Sequence, residues 1–261
     1  MPYIMLSDGS AMTSVPIMLQ QQQSFGNVAW LSDAQLLYTL YSPIAFGGIN
    51  NGGEVDLFMT ATTSGGEPKT LYSGINLQRP AGSPSQATLA FEAEHGPFQA
   101  QPNIDVETLD VSTLTLHILT HNDGTYIQAA WSPDGSKIAY ACAKGKQSLQ
   151  ICTMNSDGTN MRILTAGMNS HQWPAWSPDS KRIAYFNEAQ IAGKIDSTIF
   201  IVDVDDSHER AVTSHTGVSR DETPSWAPNG REIVFQTDRL GSGFRIAVVR
   251  PDGSALTMLT K

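Results

Sequence analysis

Trp131-Ser132-Pro133-Asp134-Gly135-Ser136-Lys137-Ile138-Ala139-Tyr140 states a strand, a reversal and a second strand in ten residues. Pro133 presets φ for the first corner of a tight turn, Gly135 tolerates positive φ, and the Ser132 and Asp134 side chains can bond the local backbone. The aromatic before the corner and the apolar run after it read as short antiparallel strands, one ending at Trp131 and one passing through Ile138 and Tyr140. The pattern returns 45 positions on, at Trp176-Ser177-Pro178-Asp179-Ser180-Lys181-Arg182-Ile183-Ala184-Tyr185. It returns again 50 positions further, at Trp226-Ala227-Pro228-Asn229-Gly230-Arg231-Glu232-Ile233-Val234-Phe235.

A second marker follows the first. Asn155-Ser156-Asp157-Gly158-Thr159 and Arg250-Pro251-Asp252-Gly253-Ser254 carry Asp-Gly hairpin signals ahead of a short final strand. The final strands end alike, at Leu119-Thr120, Leu164-Thr165, Val212-Thr213 and Leu259-Thr260, in steps of 45, 48 and 47. Two markers sharing a period in the mid-forties, with four strands per period, predict an all-β fold of β-propeller type built from four-stranded antiparallel blades.

Five full blades are expected within one domain over residues 1–261, at 27–73, 75–120, 126–165, 171–213 and 222–260. A half blade at 3–16 precedes them, because Asp8-Gly9-Ser10-Ala11-Met12 to Val15 repeats the register of Asp252-Gly253-Ser254-Ala255-Leu256 to Leu259. Its front half is missing. Either another part of the chain completes it or the sequence starts partway into a longer propeller, and the second is the expectation. Gln20 to Gln23 reads as a polar linker, Ser42 to Glu54 as a Gly- and Asn-rich insertion, and His95 to Asn103 as an irregular link inside a degenerate blade.

Composition fits a folded body. Hydrophobic residues make up 40% of the 261, so the 22 glycines and 14 prolines punctuate short strands instead of signalling disorder. The formal charge of -9 disfavours a surface that tracks phosphates, and the 16 basic residues form no run; a patch assembled in three dimensions is the one way round this. No nucleic-acid partner and no membrane insertion are expected, since no stretch approaches the ~20 apolar residues that span a bilayer. Met1 to Leu19 lacks a signal-peptide layout, with no Lys or Arg and with Asp8 interrupting the apolar run.

The two cysteines fall on neighbouring strands. If their hairpin turns at Gly145-Lys146, Cys142 faces Leu149 and Cys152 faces Ala139, too far along the ladder for a relaxed disulfide. Buried free thiols are therefore expected.

The segments Trp131 to Tyr140, Trp176 to Tyr185 and Trp226 to Phe235, with the Asp-Gly turns behind them, resemble the TolB-type β-propeller repeat family. The likeness is strongest over residues 120–261. It implies about six blades, and a family found in the Tol-Pal envelope system and in the N-terminal propellers of prolyl-oligopeptidase-like enzymes. A periplasmic or other extracytoplasmic location follows from the resemblance alone. Fold is specified far more tightly than function by such a motif.

Short repetitive turns occupy one face of such blades, which leaves the variable connections Ser42 to Glu54, Asn187 to Ser197 and Thr237 to Gly243 on the other. Binding usually resides on variable loops of a rigid scaffold, so Phe46, Asn51 and Arg239 are candidate binding residues. The links entering each blade approach the channel and add His121, His171, His215, Asp221 and Glu222. Their spacing matches no compact metal motif, and solvated or turn-capping roles compete with ligation. Trp131, Trp176 and Trp226 share one repeat position and read as packing between blades with the indole N–H bonded. Trp173 breaks the repeat, and is a candidate anchor for a partner.

Motifs for catalysis are missing: there is no Gly-x-Ser-x-Gly elbow, phosphate loop or dinucleotide fingerprint. His208-Glu209-Arg210-Ala211-Val212 begins like a zinc-protease signature but ends in Val212, and Asp203, Asp205 and Asp206 read as an acidic hairpin tip. No cofactor or metal is expected. The leading expectation is a non-enzymatic scaffold for a protein or peptide partner. The alternatives are the gating propeller of a prolyl-oligopeptidase-like serine peptidase whose catalytic domain lies outside this chain, and a metal-dependent polysaccharide lyase or hydrolase using the channel histidines.

Overall fold

The computed structural model describes residues 3–4, 13–14, 24–32, 35–42, 54–61, 69–75, 78–85, 87–95, 103–121, 123–145, 147–241 and 243–260. The expectations for Gln20 to Gln23, for the interior of Ser42 to Glu54 and for residues 96–102 lie outside them. Every regular element among the described residues is a strand. The chain divides into two compact units, one of Met1–Ser83, Ala87–Glu94 and Glu107–His117, the other of Pro84–Gln86, His95–Val106 and Ile118–Lys261.

In the first unit β1 (Tyr3–Ile4) pairs with β2 (Thr13–Ser14). Strands β3 (Ser24–Ser32), β4 (Gln35–Ser42), β5 (Glu54–Ala61) and β6 (Lys69–Ile75) form an antiparallel sheet in sequence order. β7 (Gln78–Gly82) and β8 (Thr88–His95) form a hairpin; β9 (Asn103–Asp110), against which β10 (Thr115–Ile118) pairs, belongs to the second unit up to Val106 and to the first from Glu107.

The second unit repeats one design three times. β11 (Thr125–Trp131), β12 (Lys137–Ala143), β13 (Gln150–Asn155) and β14 (Arg162–Ile163) pair in order, all antiparallel. So do β15 (Ser170–Trp176), β16 (Arg182–Ile191), β17 (Lys194–Asp203) and β18 (Glu209–Ala211). The last set is β19 (Asp221–Trp226), β20 (Ile233–Thr237), β21 (Arg245–Val249) and β22 (Thr257–Met258).

Both recurring markers have a physical cause. In the turn after β11 the Ser132 hydroxyl donates to Asp134 Oδ1 at 2.7 Å and accepts the Lys137 N–H at 2.9 Å, while Gly135 sits at φ 71°. Ser177, Asp179 and the Arg182 N–H repeat this, with Ser180 at φ 57° where glycine stands elsewhere. Those serine hydroxyls hold the Asp134 and Asp179 carboxyls below the usual carboxylate range. At the other marker each threonine hydroxyl accepts a main-chain N–H from the preceding strand: Val106 to Thr120 at 3.0 Å, Ile151 to Thr165 at 2.9 Å, Ile199 to Thr213 at 3.0 Å and Ile246 to Thr260 at 2.9 Å. The side chain thus supplies an acceptor where the short last strand has ended.

Inner strands are buried on both faces, and successive side chains go to different neighbours. Ile183 and Tyr185 pack with Ala139, Ile151 and Leu164 of the sheet before, whereas Ala184 and Phe186 pack with Trp226, Ile233 and Phe235 of the sheet after. The tryptophans tie the stack together. Trp176 Nε1 donates to Ala130 O at 3.0 Å and Trp226 Nε1 to Ala175 O at 3.1 Å, each carbonyl lying in the first strand of the preceding sheet. Trp131 differs from its two equivalents: its indole N–H is buried with no partner among the described residues.

The cysteine expectation is overturned. Cys142 and Cys152 form a disulfide, with Cα atoms 6.0 Å apart. The ladder is displaced by one residue from the expected pairing: Cys142 faces Gln150 and Cys152 faces Tyr140. A one-residue slip exchanges faces, so the two sulfurs, which the expected register would have put on opposite faces, share one. Asn187 to Ser197, expected as a variable connection between strands, is mostly strand itself. β16 and β17 stay paired out to Ile191 and Lys194, and Ala192 and Gly193, at φ 51° and 77°, make the two-residue hairpin turn.

Two outcomes follow from this packing. Trp176→Phe and Trp226→Phe should each lose about 1 kcal/mol more than Trp131→Phe, because only they remove a hydrogen bond between sheets; equal urea-midpoint shifts at all three would mean the rings act by volume alone. Reducing the disulfide, or replacing both cysteines by serine, should lower stability by about 2–3 kcal/mol from the short loop it closes, and thiol titration of the denatured, unreduced protein should find no free thiol.

Candidate functional site

Each first strand in the second unit carries a bulge. Ladder register shifts between Ile127 and Ala130, between Gln172 and Ala175, and between Glu222 and Ser225. Within each bulge a non-glycine residue takes positive φ: Gln128 at 62°, Trp173 at 56° and Thr223 at 51°, each three residues before the repeat tryptophan. Arg79 at φ 47° holds the matching place in β7 of the first unit. Left-handed backbone costs an L-residue roughly 1–2 kcal/mol, and a bulge re-aims the side chain that it carries. Recurrence assigns this backbone to the fold; which side chain stands there is what differs.

At the second bulge the side chain is Trp173, 38% exposed. Its main-chain N–H donates to Gln128 Oε1 at 2.7 Å, and Gln128 Nε2 approaches Gln172 Oε1 at 3.4 Å. Gln128 is itself buried. One sheet therefore fixes the backbone under an exposed aromatic on the next. Gln128 was not among the sequence candidates, although it precedes Trp131 by the same three residues that separate Trp173 from Trp176.

The other candidates go to separate environments. His171 lies within β15, 2% exposed, its ring 5.1 Å from that of Tyr185 and its Nδ1 without a hydrogen-bond partner among the described residues. Burial pushes its pKa below the ordinary imidazole value, partly opposed by Glu209, whose carboxylate accepts the Tyr185 hydroxyl. Burial, reinforced by that carboxylate, pushes the Tyr185 phenol well up. His215 sets Nδ1 3.0 Å from Gly217 O and Nε2 3.2 Å from Ser197 O, with Asp196 Oδ1 at 3.7 Å. His121 is exposed at the rim of a recess of about 260 Å³ beside Tyr126, Tyr140 and the disulfide. Among the described residues no three His, Cys, Asp or Glu side chains come together as a cation site.

Asp221 and Arg239, proposed from different loops, meet. Asp221 is fully buried; its Oδ1 accepts Thr237 Oγ1 at 2.7 Å and Arg239 Nε at 2.9 Å, and its Oδ2 accepts Arg239 Nη2. Arg239 Nη1 donates to Ser214 O at 3.0 Å, which ties the link into β19 to the β20–β21 loop. This is a bidentate clamp that shapes the loop face from beneath. Glu222, beside it in sequence, accepts Gln236 Nε2 at 3.2 Å, and burial raises its pKa. Arg220 repeats the clamp nearer the surface, with Nε 2.9 Å from Asp238 Oδ2 and its guanidinium 4.4 Å from the Phe244 ring. Phe46 and Asn51 lie outside the described residues.

His171 and Asp221, then, are strand residues in the interior and not loop residues in solvent. Of the nine sequence candidates, Trp173 and His121 present exposed side chains among the described residues, with His215, Glu222 and Arg239 partly so. What this part of the unit offers is an exposed aromatic on a fixed backbone, with clamped loops on the following sheet, which suits recognition.

Comparison with known proteins gives the same architecture. The family model described as the TolB beta propeller domain matches residues 44–261. The Tol-Pal system protein TolB of Azoarcus sp. (strain BH72) is 48% identical over 54 residues, which is 21% of this chain and 12% of that protein's length. Among solved structures, TolB from Acinetobacter baumannii superposes with a TM-score of 0.59 at 16% identity, covering 92% of this chain and 69% of that one. A puromycin-hydrolyzing peptidase from Mycobacterium tuberculosis gives 0.68 at 15% identity, covering 92% of this chain but 38% of its own.

Removing one half of the buried clamp should be costly. Asp221→Asn leaves the Arg239 guanidinium uncompensated and should lower stability by about 3 kcal/mol, and combining it with Arg239→Gln should restore part of that. Urea unfolding of the two single variants and the double variant checks this; strictly additive losses would mean that the two groups do not act as a pair.

Proposed function

The chain belongs to the TolB β-propeller family, and from that premise we propose that it is a non-enzymatic scaffold that docks a protein or peptide partner on the surface around Trp173. One observation carries this reading: a large aromatic, 38% exposed, sits on a left-handed bulge that the neighbouring sheet holds through Gln128. Exposed aromatics on pre-set backbone are typical binding anchors, because little ordering entropy is lost when a partner covers them. Asp221–Arg239 and Arg220–Asp238 stiffen the loops alongside.

The partner class and place also draw on the relatives. The short match to the Tol-Pal system protein TolB supports a protein partner in the cell envelope, and the Cys142–Cys152 disulfide fits an oxidising compartment. A second reading is the propeller of a peptidase, favoured by the superposition on the puromycin-hydrolyzing enzyme. Under it, catalysis belongs to a separate α/β domain and this body controls access. A reading frame that continues past Lys261 into a Gly-x-Ser-x-Gly segment would support that version, and a stop codon there would remove it.

Trp173→Ala tests the leading reading. Its ring is 38% exposed and lies outside the buried core clusters, so the melting temperature should stay within about 2–4 °C of wild type. Proteins captured from envelope extract by the wild-type chain would be identified, purified and titrated against both forms. Affinity should fall at least about tenfold, the size expected for an aromatic hot spot; unchanged affinity moves the binding surface elsewhere.

A further inference from the structure

Arg182, Arg210, Arg231 and Arg250 are far apart in sequence, yet they line one recess of about 480 Å³ with Pro251 and Asp252. All four lie at the short-turn end of the last two sheets. Arg182 opens β16 directly after its turn, Arg210 lies in β18, Arg231 follows the Ala227–Gly230 turn, and Arg250 begins the Asp-Gly turn after β21. A protein of net charge -9 with no basic run thus concentrates a quarter of its 16 basic residues in one place.

The four are not equivalent. Arg182 is fixed, with its guanidinium 4.8 Å above the Trp226 ring and 3.8 Å from Asp179. Arg210 is 3.6 Å from Asp203. Arg231 and Arg250 are exposed, and among the described residues neither has a carboxylate within ion-pair distance. Asp252 takes its own hydrogen bonds from Ser254, at 2.9 Å from the main-chain N–H and 2.7 Å from the hydroxyl. The recess therefore has two guanidiniums anchored by ion pairs and two without one among the described residues, of which Arg250 feels the Asp252 carboxylate at longer range.

We propose that this recess binds the carboxylates of a short acidic peptide segment. Guanidinium groups pair with planar carboxylates through two parallel hydrogen bonds, and the width admits more than one side chain. Screening confines the cluster's pull to about 8 Å at physiological salt. An extended polyanion such as nucleic acid that tracked the surface past the recess would meet the acidic excess of a chain of net charge -9, so a short acidic segment is favoured over a long polyanion. The choice of a peptide rests on the partner-binding reading above; the anion site does not. The recess lies among the short turns and does not include Trp173, which stands midway along β15, so it would be a second point of attachment.

The test uses the full chain and a fluorescein-labelled octaglutamate peptide, followed by anisotropy in 20 mM salt. Arg231→Gln/Arg250→Gln should weaken binding at least tenfold, while Lys144→Gln/Lys194→Gln, which removes the same charge elsewhere, should change it less than twofold. Trp173→Ala should leave it unchanged, which separates failure here from failure of the partner surface around Trp173. Equal losses in the two double variants, or none in the arginine variant with its melting temperature intact, would overturn the site. An eight-nucleotide oligothymidine binding as tightly as the peptide, or pyrophosphate displacing it at equal concentration, would overturn the peptide assignment in favour of a phosphate site.

Discussion

The coupling of each sheet to the one before it is the constraint on which the second unit depends. A four-stranded sheet with apolar side chains on both faces has no independent core, so Ile183 and Tyr185 must find one neighbour while Ala184 and Phe186 find another. Trp176 and Trp226 add direction to this burial, because an indole N–H aimed at Ala130 O or Ala175 O is satisfied in only one relative placement of the sheets. Apolar contact favours stacking in general, and the hydrogen bond selects among stackings. Arg182 over the Trp226 ring reinforces the same joint.

The same joint fixes the backbone on which the candidate binding residues stand. Three residues before each tryptophan the first strand must bulge, and the residue there accepts left-handed backbone whether it is Gln128, Trp173 or Thr223. The fold thus provides a fixed pedestal in each of the three repeated sheets of the second unit, and the chemistry of each pedestal is open to variation without repacking the core. Trp173 uses it for an exposed ring, and Gln128 uses it to hold that ring's backbone across the gap between sheets. Elsewhere, tight turns that differ little between repeats bring the starts and ends of strands close, and there the arginines collect.

Register accounts for the corrections. The residues of the hairpin between β12 and β13 are compatible with two pairings one step apart; in the one adopted Ala139 and Ile151 pack against the next sheet and Cys142 and Cys152 share a face. The Asp221–Arg239 clamp shows the same dependence. Asp221 was legible as a polar residue on a link near the channel and Arg239 as one on a variable loop, but their union, and the burial that makes it a structural clamp, come from the loop after β20 meeting the link into β19. His171 looked like a loop residue for want of any local sign that β15 begins before it.

What the sequence by itself determined is local and periodic: the Ser-Pro-Asp turns, the Asp-Gly hairpins, the Leu-Thr endings and the double-sided strands between them, since φ preferences, side-chain caps and two-residue alternation act within about ten residues. From these the propeller family follows. What only the tertiary structure decided is which distant groups meet: Gln128 with Trp173, Asp221 with Arg239, cysteine with cysteine, and four arginines from two sheets. Such meetings depend on ladder register and on the stacking of sheets, and both are fixed by burial summed over many residues, a quantity that no short stretch of chain contains.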